Sequence, residues 1–258
     1  MKEIWSKLIL NTKSPRVVTI IGGGGKTSLM YYLLTILKGN GCTAIGTSTT
    51  KLSSQPLRGH CFMKVQSIAA GQQAVEQARD MQDHVTLVYG KDDNTLEKMI
   101  GIPSEWIDHL AIANRDVIFV VEGDGSAGKS LKGHLAHDPV IPSESSLIVV
   151  VIGIDSVGMQ INFHNVHRPD RIYELTGSRV DSLITTDVIT KLLLHPQGYL
   201  HNCPQDSVIV LFINKVESAA QRKQAEKLAA QMVASKHPQL YGVIIGSVTK
   251  EEGLWLQG

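Results

Sequence analysis

The chain alternates short runs rich in Val and Ile with longer segments in which apolar residues recur at helical spacing. Because the short runs are apolar at consecutive positions, they are typical of strands buried on both faces of a parallel sheet. We predict strands at residues 17–21, 44–47, 85–89, 117–121, 147–152, 208–213 and 243–245. We predict helices at residues 27–37, 68–81, 104–113, 186–194 and 218–235.

This alternation of strands and helices runs along the whole chain. It predicts an α/β fold with a mostly parallel sheet and helices on both faces. No segment has the composition of an interdomain linker, so we predict a single domain over residues 1–258. Residues 123–177 are rich in Gly, Pro and His, and we expect long loops there.

Two glycine-rich segments resemble phosphate-binding loops. Residues 123–130, GDGSAGKS, match the pattern G-x-x-x-x-G-K-[ST] at every position, whereas residues 20–28, IIGGGGKTS, lack its first glycine. A phosphate loop also needs a helix after it, because the free N–H groups and the dipole at the helix start face the anion. After residues 123–130 come Gly133, Pro139 and Pro142, which leave little room for a helix.

The imperfect match at residues 20–28 has both a strand before it and an apolar helical segment after it. It keeps the shorter form G-x-x-G-K-T and follows the first strand, where mononucleotide-binding sheets usually place their phosphates. The alternative is a glycine turn with an exposed lysine, although four glycines carry an entropic penalty that a plain turn avoids. We predict a phosphate-loop NTPase-like fold with nucleotide phosphates bound by Gly22, Gly23, Gly24, Gly25, Lys26, Thr27 and Ser28.

Two carboxylates follow the predicted strand at 117–121. Carboxylates at the carboxyl end of a neighbouring parallel strand can hold Mg²⁺ together with the hydroxyl of a phosphate loop. We predict Mg²⁺ ligation by Thr27, Asp124 and Glu122, with Asp124 the first choice of the two acids. Lys26 and Asp124 are the predicted catalytic residues. The alternative is that these acids are ordinary loop residues.

A hydroxyl-rich segment follows the predicted strand at 44–47. Thr49, Thr50 and Lys51 could face the terminal phosphate or its metal, and we include them in the predicted nucleotide site. A polar turn explains the same residues equally well.

A second polar segment follows the predicted strand at 208–213. Asn214, Lys215 and Glu217 resemble the N-K-x-D motif by which phosphate-loop proteins recognise guanine, with Glu in place of Asp. A buried polar match of this kind discriminates strongly between bases, and we favour GTP slightly over ATP. The alternative is that Asn214 ends a strand and Glu217 starts the next helix.

Ten histidines include two H-x-x-H pairs, His134 with His137 and His164 with His167. Zinc sites on helices use H-x-x-x-H, in which both rings lie on one face. We therefore favour loop histidines that are hydrogen-bonded or exposed over a metal or cofactor site. Arg168, next to the second pair, could contact an anion.

Composition narrows the partners and the compartment. With 25 basic and 24 acidic residues the net charge is +1, which does not favour nucleic acid or an anionic membrane. Three scattered cysteines, without a C-x-x-C motif, are typical of a reducing compartment. Residues 1–15 lack a signal-peptide cleavage site, and no apolar run approaches the ~20 residues that span a bilayer. We predict a cytoplasmic protein.

Several segments together resemble the YqeC-type accessory proteins of selenium-dependent molybdenum hydroxylases. The resemblance covers most of the chain and rests on GGGGKTSLM, GTSTTK, VEGDGS, HDPVIPSESSLIVVVIGIDSVG, VHRPDRIYELTG, LLLHPQG and LFINKVE. It implies a phosphate-loop protein that helps mature a molybdenum enzyme, with the hydroxylase apoenzyme or the molybdenum cofactor as partner. The family's D-G-S-R-G pattern reads DGSAGKSLK here, so the basic residue after the serine is absent, although Lys129 and Lys132 are close by.

Three functions are compatible with these residues. The first is a Mg²⁺-dependent NTPase that uses GTP or ATP. The second is a ligase or kinase that transfers the terminal phosphate to a small molecule. The third is a carrier of a metal or of molybdenum cofactor with a degenerate nucleotide site, which the histidine-rich middle of the chain suggests.

Overall fold

The computed structural model describes residues 1–11, 16–53, 59–92 and 95–257, with residues 95–97 described through their backbone only. Residues 12–15, at the end of the N-terminal stretch considered above, lie outside the described residues. The strands are β1 (Arg16–Gly22), β2 (Ala44–Ser48), β3 (Lys51–Ser53), β4 (His60–Lys64), β5 (His84–Val88), β6 (Gly90–Asp92), β7 (Thr95–Ile100), β8 (Ile118–Glu122), β9 (Ser145–Gly153), β10 (Val208–Asn214), β11 (Leu240–Ser247) and β12 (Glu252–Gln257).

The helices alternate with these strands. They are α1 (Lys2–Leu10), α2 (Lys26–Gly39), α3 (Ile68–Asp80), α4 (Ser104–Ala113), α5 (Pro169–Thr176), α6 (Thr186–Leu194) and α7 (Ala219–Ala234). Side chains cap three of them, since Ser67, Thr185 and Ser218 accept hydrogen bonds from backbone N–H groups at the starts of α3, α6 and α7. Within the described residues no helix combines the length and apolar character that crossing a membrane requires.

Nine strands form one sheet in the order β12-β11-β10-β9-β1-β8-β2-β5-β4. All neighbours are parallel except β12, which runs antiparallel to β11. A three-stranded antiparallel sheet, β3-β7-β6, follows the carboxyl ends of β2 and β5. Because β1 lies between β9 and β8, the loops that leave these three strands meet at one edge of the sheet.

Alternate residues of the strands pack against different helices. Val18 and Ile20 of β1 belong to a core that includes α1 and α2. Val17 packs with α3 and α4, and Ile21 packs with α5, α6 and α7. Because side chains alternate along a strand, α1 and α2 cover one face and the other five helices cover the opposite face. The predicted α/β fold, with a mostly parallel sheet and helices on both faces, is confirmed.

Candidate functional site

Glycines 22–25 connect β1 to α2 in a turn that side chains could not enter. Gly22, Gly24 and Gly25 have φ values of +102°, +88° and +117°, in the region that favours glycine. A Cβ atom on Gly24 would lie 2.4 Å from the backbone nitrogen of Gly153, and one on Gly23 would lie 2.6 Å from the carbonyl oxygen of Lys129. The four-glycine sequence therefore reflects both the backbone conformation and the close packing of the end of β9 and of the loop after β8.

Helix α2 begins directly after this turn, at Lys26. No side chain caps its N-terminus, and Gly25 occupies the N-cap position. The free N–H groups of a first helical turn, together with the positive end of the helix dipole, attract anions. Thr27 is half-buried and Ser28 is exposed, so both lie at the accessible side of this turn. The arrangement of strand, glycine turn and uncapped helix suits a phosphate group.

Lys26 is buried beside two carboxylates. Its Nζ donates a hydrogen bond to the carbonyl oxygen of Gly22 at 2.8 Å, and it lies 3.6 Å from Glu122 Oε1 and 3.5 Å from Asp124 Oδ1. Burial alone would lower the pKa of Lys26, but Asp124 and Glu122 outweigh burial and raise that pKa above its ordinary value. Lys26 therefore keeps its positive charge at neutral pH while it is buried beside the glycine turn.

Glu122 forms a pair with the hydroxyl of the same loop. The register of β1 and β8 places Ile20 opposite Glu122, and Thr27 Oγ1 donates a hydrogen bond of 2.8 Å to Glu122 Oε2. Burial raises the pKa of Glu122, and the charge of Lys26 opposes that rise. Hydroxyl and carboxylate oxygens are ligands that Mg²⁺ prefers, so this pair fits the metal.

Asp124 has different partners from Glu122. Both of its carboxylate oxygens accept the backbone N–H of Gly22, at 3.0 Å each. Its Oδ2 lies 3.0 Å from Lys132 Nζ and 2.7 Å from His134 Nε2. Burial would raise the pKa of Asp124, but Lys26, His134 and Lys132 together lower it well below its usual range. The ionised carboxylate thus accepts from donors of this chain on several sides.

Lys132 extends this cluster of charges below the surface. Its Nζ, which is fully buried, lies 2.6 Å from Asp138 Oδ2 and donates to the carbonyl oxygen of Gly125 at 2.7 Å. Arg168 Nη1 donates to the same Asp138 oxygen at 2.6 Å. Asp124, Lys132, Asp138 and Arg168 therefore form a continuous chain of alternating charges.

His134 lies at the centre of this cluster. It is fully buried and packs edge-on against Tyr199, with ring centroids 4.2 Å apart. Burial lowers the pKa of His134, despite Asp124, so the neutral ring donates its Nε2–H to Asp124. His137 and His164 are exposed, and His167 is half-buried. These positions agree with hydrogen-bonded or exposed loop histidines.

Asp124, His134 and Asp138 are close enough together to hold a metal ion. However, the ammonium of Lys132 lies between the two carboxylates, within 3.0 Å of one and 2.6 Å of the other. It already supplies the positive charge that a metal would bring. The contacts therefore favour an ion-pair network at this position over a metal centre.

The hydroxyl-rich segment after β2 holds the backbone of Glu122. Ser48 Oγ and the N–H of Thr49 both donate to the Glu122 carbonyl oxygen, at 2.8 and 3.1 Å. Thr50 N–H donates to Ser48 Oγ at 2.9 Å. Lys51 is directed elsewhere, since its Nζ pairs with Asp92 of β6 at 2.7 Å. The described contacts of this segment thus hold the backbone of Glu122 in place and connect Lys51 to the small sheet β3-β7-β6.

The segment after β10 is also tied to the glycine turn. Asn214 Nδ2 donates to the carbonyl oxygen of Gly24 at 2.7 Å, and Asn214 Oδ1 accepts from Val248 N–H at 3.0 Å. Lys215 Nζ lies 2.7 Å from Ser130 Oγ and 2.9 Å from Asp155 Oδ2. Glu217 has an exposed side chain. Asn214 and Lys215 therefore lie beside the turn, with Glu217 at the surface.

The perfect pattern match at residues 123–130 has no helix after it. Residues 123–144, all of which the structure describes, contain no helix. Instead, the carbonyl oxygen of Lys129 accepts the N–H of Gly24 at 3.0 Å, so this segment packs against the glycine turn. Sequence reasoning missed Lys132, His134 and Asp138 as parts of the site. A possible signal was the occurrence of three charged or polar side chains in one short loop that starts at the carboxyl end of a buried strand.

This chain is similar to known proteins in structure and in sequence. A solved structure, the signal recognition particle receptor FtsY from Elizabethkingia anophelis, is similar at 13% identity with a TM-score of 0.36; the match covers 94% of this chain, which spans only 64% of that receptor's length. A protein of Escherichia coli (strain K12) named "Uncharacterized protein YqeC" is 29% identical over 206 residues, 79% of this chain and 77% of that protein. The family model described as "YqeC protein" matches residues 18–170. Since that match covers more than half of the chain, the protein belongs to the YqeC family.

Proposed function

We propose that this protein binds a nucleoside triphosphate together with Mg²⁺ at the glycine turn, and that it hydrolyses the nucleotide. One observation carries the proposal: a buried strand, a side-chain-free turn and an uncapped helix N-terminus meet at Lys26, which is buried beside two carboxylates. A buried lysine that also faces an anion site is suited to the terminal phosphates of a nucleotide.

The residues of the site have distinct roles in this proposal. The first N–H groups of α2 and Lys26 bind the phosphates. Thr27 and Glu122 hold Mg²⁺, which would neutralise charge that develops on the transferred phosphate. We favour Glu122 over Asp124 as the proposed metal ligand, because Glu122 is paired with the Thr27 hydroxyl whereas Asp124 accepts from Gly22.

The base is proposed to lie near the ends of β10 and β11. Asn214 connects the glycine turn to Val248, and Glu217 is exposed nearby in sequence. In this arrangement the exposed carboxylate of Glu217 would accept from a base amine, and this supports a modest preference for GTP over ATP. The resemblance to YqeC-type proteins supports a cellular role in maturing a selenium-dependent molybdenum hydroxylase.

The proposal is tested by the binding of fluorescent GTP and ATP analogues with Mg²⁺ to the wild-type protein and two variants. Lys26→Ala should weaken binding about a hundredfold, because a charge-assisted phosphate contact is lost. Lys129→Ala should bind like the wild type, since within the described residues the Lys129 side chain donates to the His164 carbonyl oxygen and contacts no part of the proposed site. The result that overturns the proposal is a wild type that binds neither analogue, or a loss of binding confined to Lys129→Ala.

Product analysis separates hydrolysis from transfer. Release of free phosphate by the protein and Mg²⁺ alone supports an NTPase. Turnover that requires an added small molecule and yields its phosphorylated form supports a ligase or kinase instead.

A further inference from the structure

Six charged side chains around the glycine turn form a balanced set. The carboxylates of Glu122, Asp124 and Asp138 are matched by three cations, Lys26, Lys132 and Arg168. His134 adds a hydrogen bond to Asp124 through its Nε2.

The cations are shared unequally between the acids. Lys26 lies about equally far from Glu122 and Asp124, at 3.6 and 3.5 Å, and neither contact is a short one. Lys132 makes closer contacts, at 3.0 Å to Asp124 and 2.6 Å to Asp138. Asp138 has a second cation in Arg168, which is at 2.6 Å. Lys26 therefore makes the longest ion-pair contacts of the set, and its one short contact is the hydrogen bond to the neutral Gly22 carbonyl oxygen.

A phosphate anion at the turn would draw Lys26 towards itself and away from these acids. A buried carboxylate left without a cation is strongly unfavourable. In this cluster, however, each acid has another partner available. Asp138 keeps Arg168, Asp124 keeps Lys132, and Glu122 can take the metal through its pair with Thr27.

We propose that Lys132 is a positioning residue for nucleotide binding: its buried ammonium neutralises Asp124, so that Lys26 can be used by the phosphates while Asp124 continues to hold Gly22. This inference rests on the proposed function and names a residue on which the affinity of that same site depends. Lys132 itself reaches no nucleotide, because its ammonium is fully buried between Asp124, Asp138 and the Gly125 carbonyl oxygen.

The test uses Lys132→Met, which keeps the length of the side chain and removes its charge. With Mg²⁺ present, this variant should bind the fluorescent GTP and ATP analogues about tenfold more weakly than the wild type, as expected for the loss of one buried charge contact. Lys129→Met is the matched control from the same loop, and it should bind like the wild type. Equal binding by Lys132→Met and the wild type would overturn the inference and leave the proposed function standing, whereas no binding by the wild type would overturn both.

A second pair of variants separates positioning from folding. Lys132→Met/Asp138→Asn removes one cation and one acid, which keeps the buried set balanced and should restore the melting temperature. The affinity of this double variant for nucleotide should stay low, because Asp124 then has no cation of the set other than Lys26. Recovery of affinity together with stability would show that Lys132 acts only through the fold.

The dependence on Asp124 gives an independent readout. If Lys132 acts by neutralising Asp124, then Lys132→Met should have no further effect on affinity in an Asp124→Asn background, where Glu122 and Asp138 keep Lys26 and Arg168. A structural defect would instead multiply with the loss caused by Asp124→Asn. Multiplicative losses in the double variant would therefore contradict the inference.

Discussion

The two acids that follow β8 differ in the atoms they contact, although they are only two residues apart. Glu122 accepts from the Thr27 hydroxyl, and Asp124 accepts from the backbone of Gly22. The environment also separates their pKa values, since burial raises that of Glu122, whereas Lys26, His134 and Lys132 overcome burial and lower that of Asp124. The two carboxylates are therefore expected to have separable functions.

Isosteric amides test this separation. Glu122→Gln should raise the Mg²⁺ concentration needed for half-maximal nucleotide binding by about tenfold or more, because a carboxylate ligand is replaced by a neutral amide. Asp124→Asn should weaken nucleotide binding even in excess EDTA while leaving the Mg²⁺ requirement unchanged, since it disturbs the acceptor of Gly22. A titration of Mg²⁺ against bound fluorescent nucleotide measures both effects. The assignment is wrong if Asp124→Asn shifts the Mg²⁺ midpoint and Glu122→Gln does not.

At the scale of residues, the sequence was informative where a motif fixes the spacing. Lys26 and Thr27 follow the glycines, and Glu122 and Asp124 follow a clear strand, so all four could be predicted. Lys132 and Asp138 could not, because their burial depends on how residues 123–144 fold back over the turn. A charged residue in a loop without helical or strand periodicity is expected at the surface, and here the loop is covered by other loops.

At the scale of elements, the two glycine-rich segments differ in what surrounds their glycines. Gly24 and Gly128 both have positive φ values, +88° and +76°. A Cβ atom on Gly24 would meet the backbone of Gly153 at 2.4 Å, whereas one on Gly128 would meet nothing within 4 Å. A larger residue at either position would therefore strain the backbone, but a steric overlap would arise at Gly24 and not at Gly128.

Alanine substitutions at Gly24 and Gly128 test this difference. Gly128→Ala should cost only about 1–2 kcal/mol of unfolding free energy, the penalty of the left-handed conformation. Gly24→Ala should cost more and should abolish nucleotide binding, because the turn must move away from the carboxyl end of β9. Denaturant unfolding and nucleotide binding measure the two effects. Equal losses for both variants would contradict the packing described for the turn.

Element prediction succeeded where hydrophobic runs are long and failed where packing decides. The seven predicted strands and five predicted helices all occur, with ends shifted by a few residues. Helix α1 was missed because Trp5 and Ile9 are buried only through contact with α2 and the sheet. Strand β12 was missed because its local sequence does not indicate a strand. Its conformation depends on backbone pairing with β11, which the tertiary fold brings about.

At the scale of the whole molecule, the proposed site lies at the carboxyl ends of the parallel strands. A second group of titratable residues lies at their amino ends. His60 at the start of β4 pairs with His84 of β5, and its ring packs 4.5 Å from that ring and 4.4 Å from Tyr31. Burial, together with the charges of His84 and Lys38, lowers the pKa of His60 to about 4 against the opposing charge of Asp83. Burial and Lys38 also lower the pKa of His84.

These shifts predict a loss of stability in mild acid. An unfolded chain protonates His60 near pH 6.5, whereas the folded protein protonates it only at about 4. Between these values the unfolded state binds more protons, so the free energy of unfolding falls as the pH falls from 6.5 to 4.

The variant His60→Phe tests this prediction, because Phe keeps an aromatic ring in the stack and cannot titrate. The stability advantage of the wild type over His60→Phe should therefore shrink as the pH is lowered through this window, as measured by denaturant unfolding at each pH. The exposed His137 provides the control. His137→Gln should differ in stability from the wild type by about the same amount at every pH. If the stability difference between the wild type and His60→Phe is equally independent of pH, the His60 stack does not contribute to acid sensitivity.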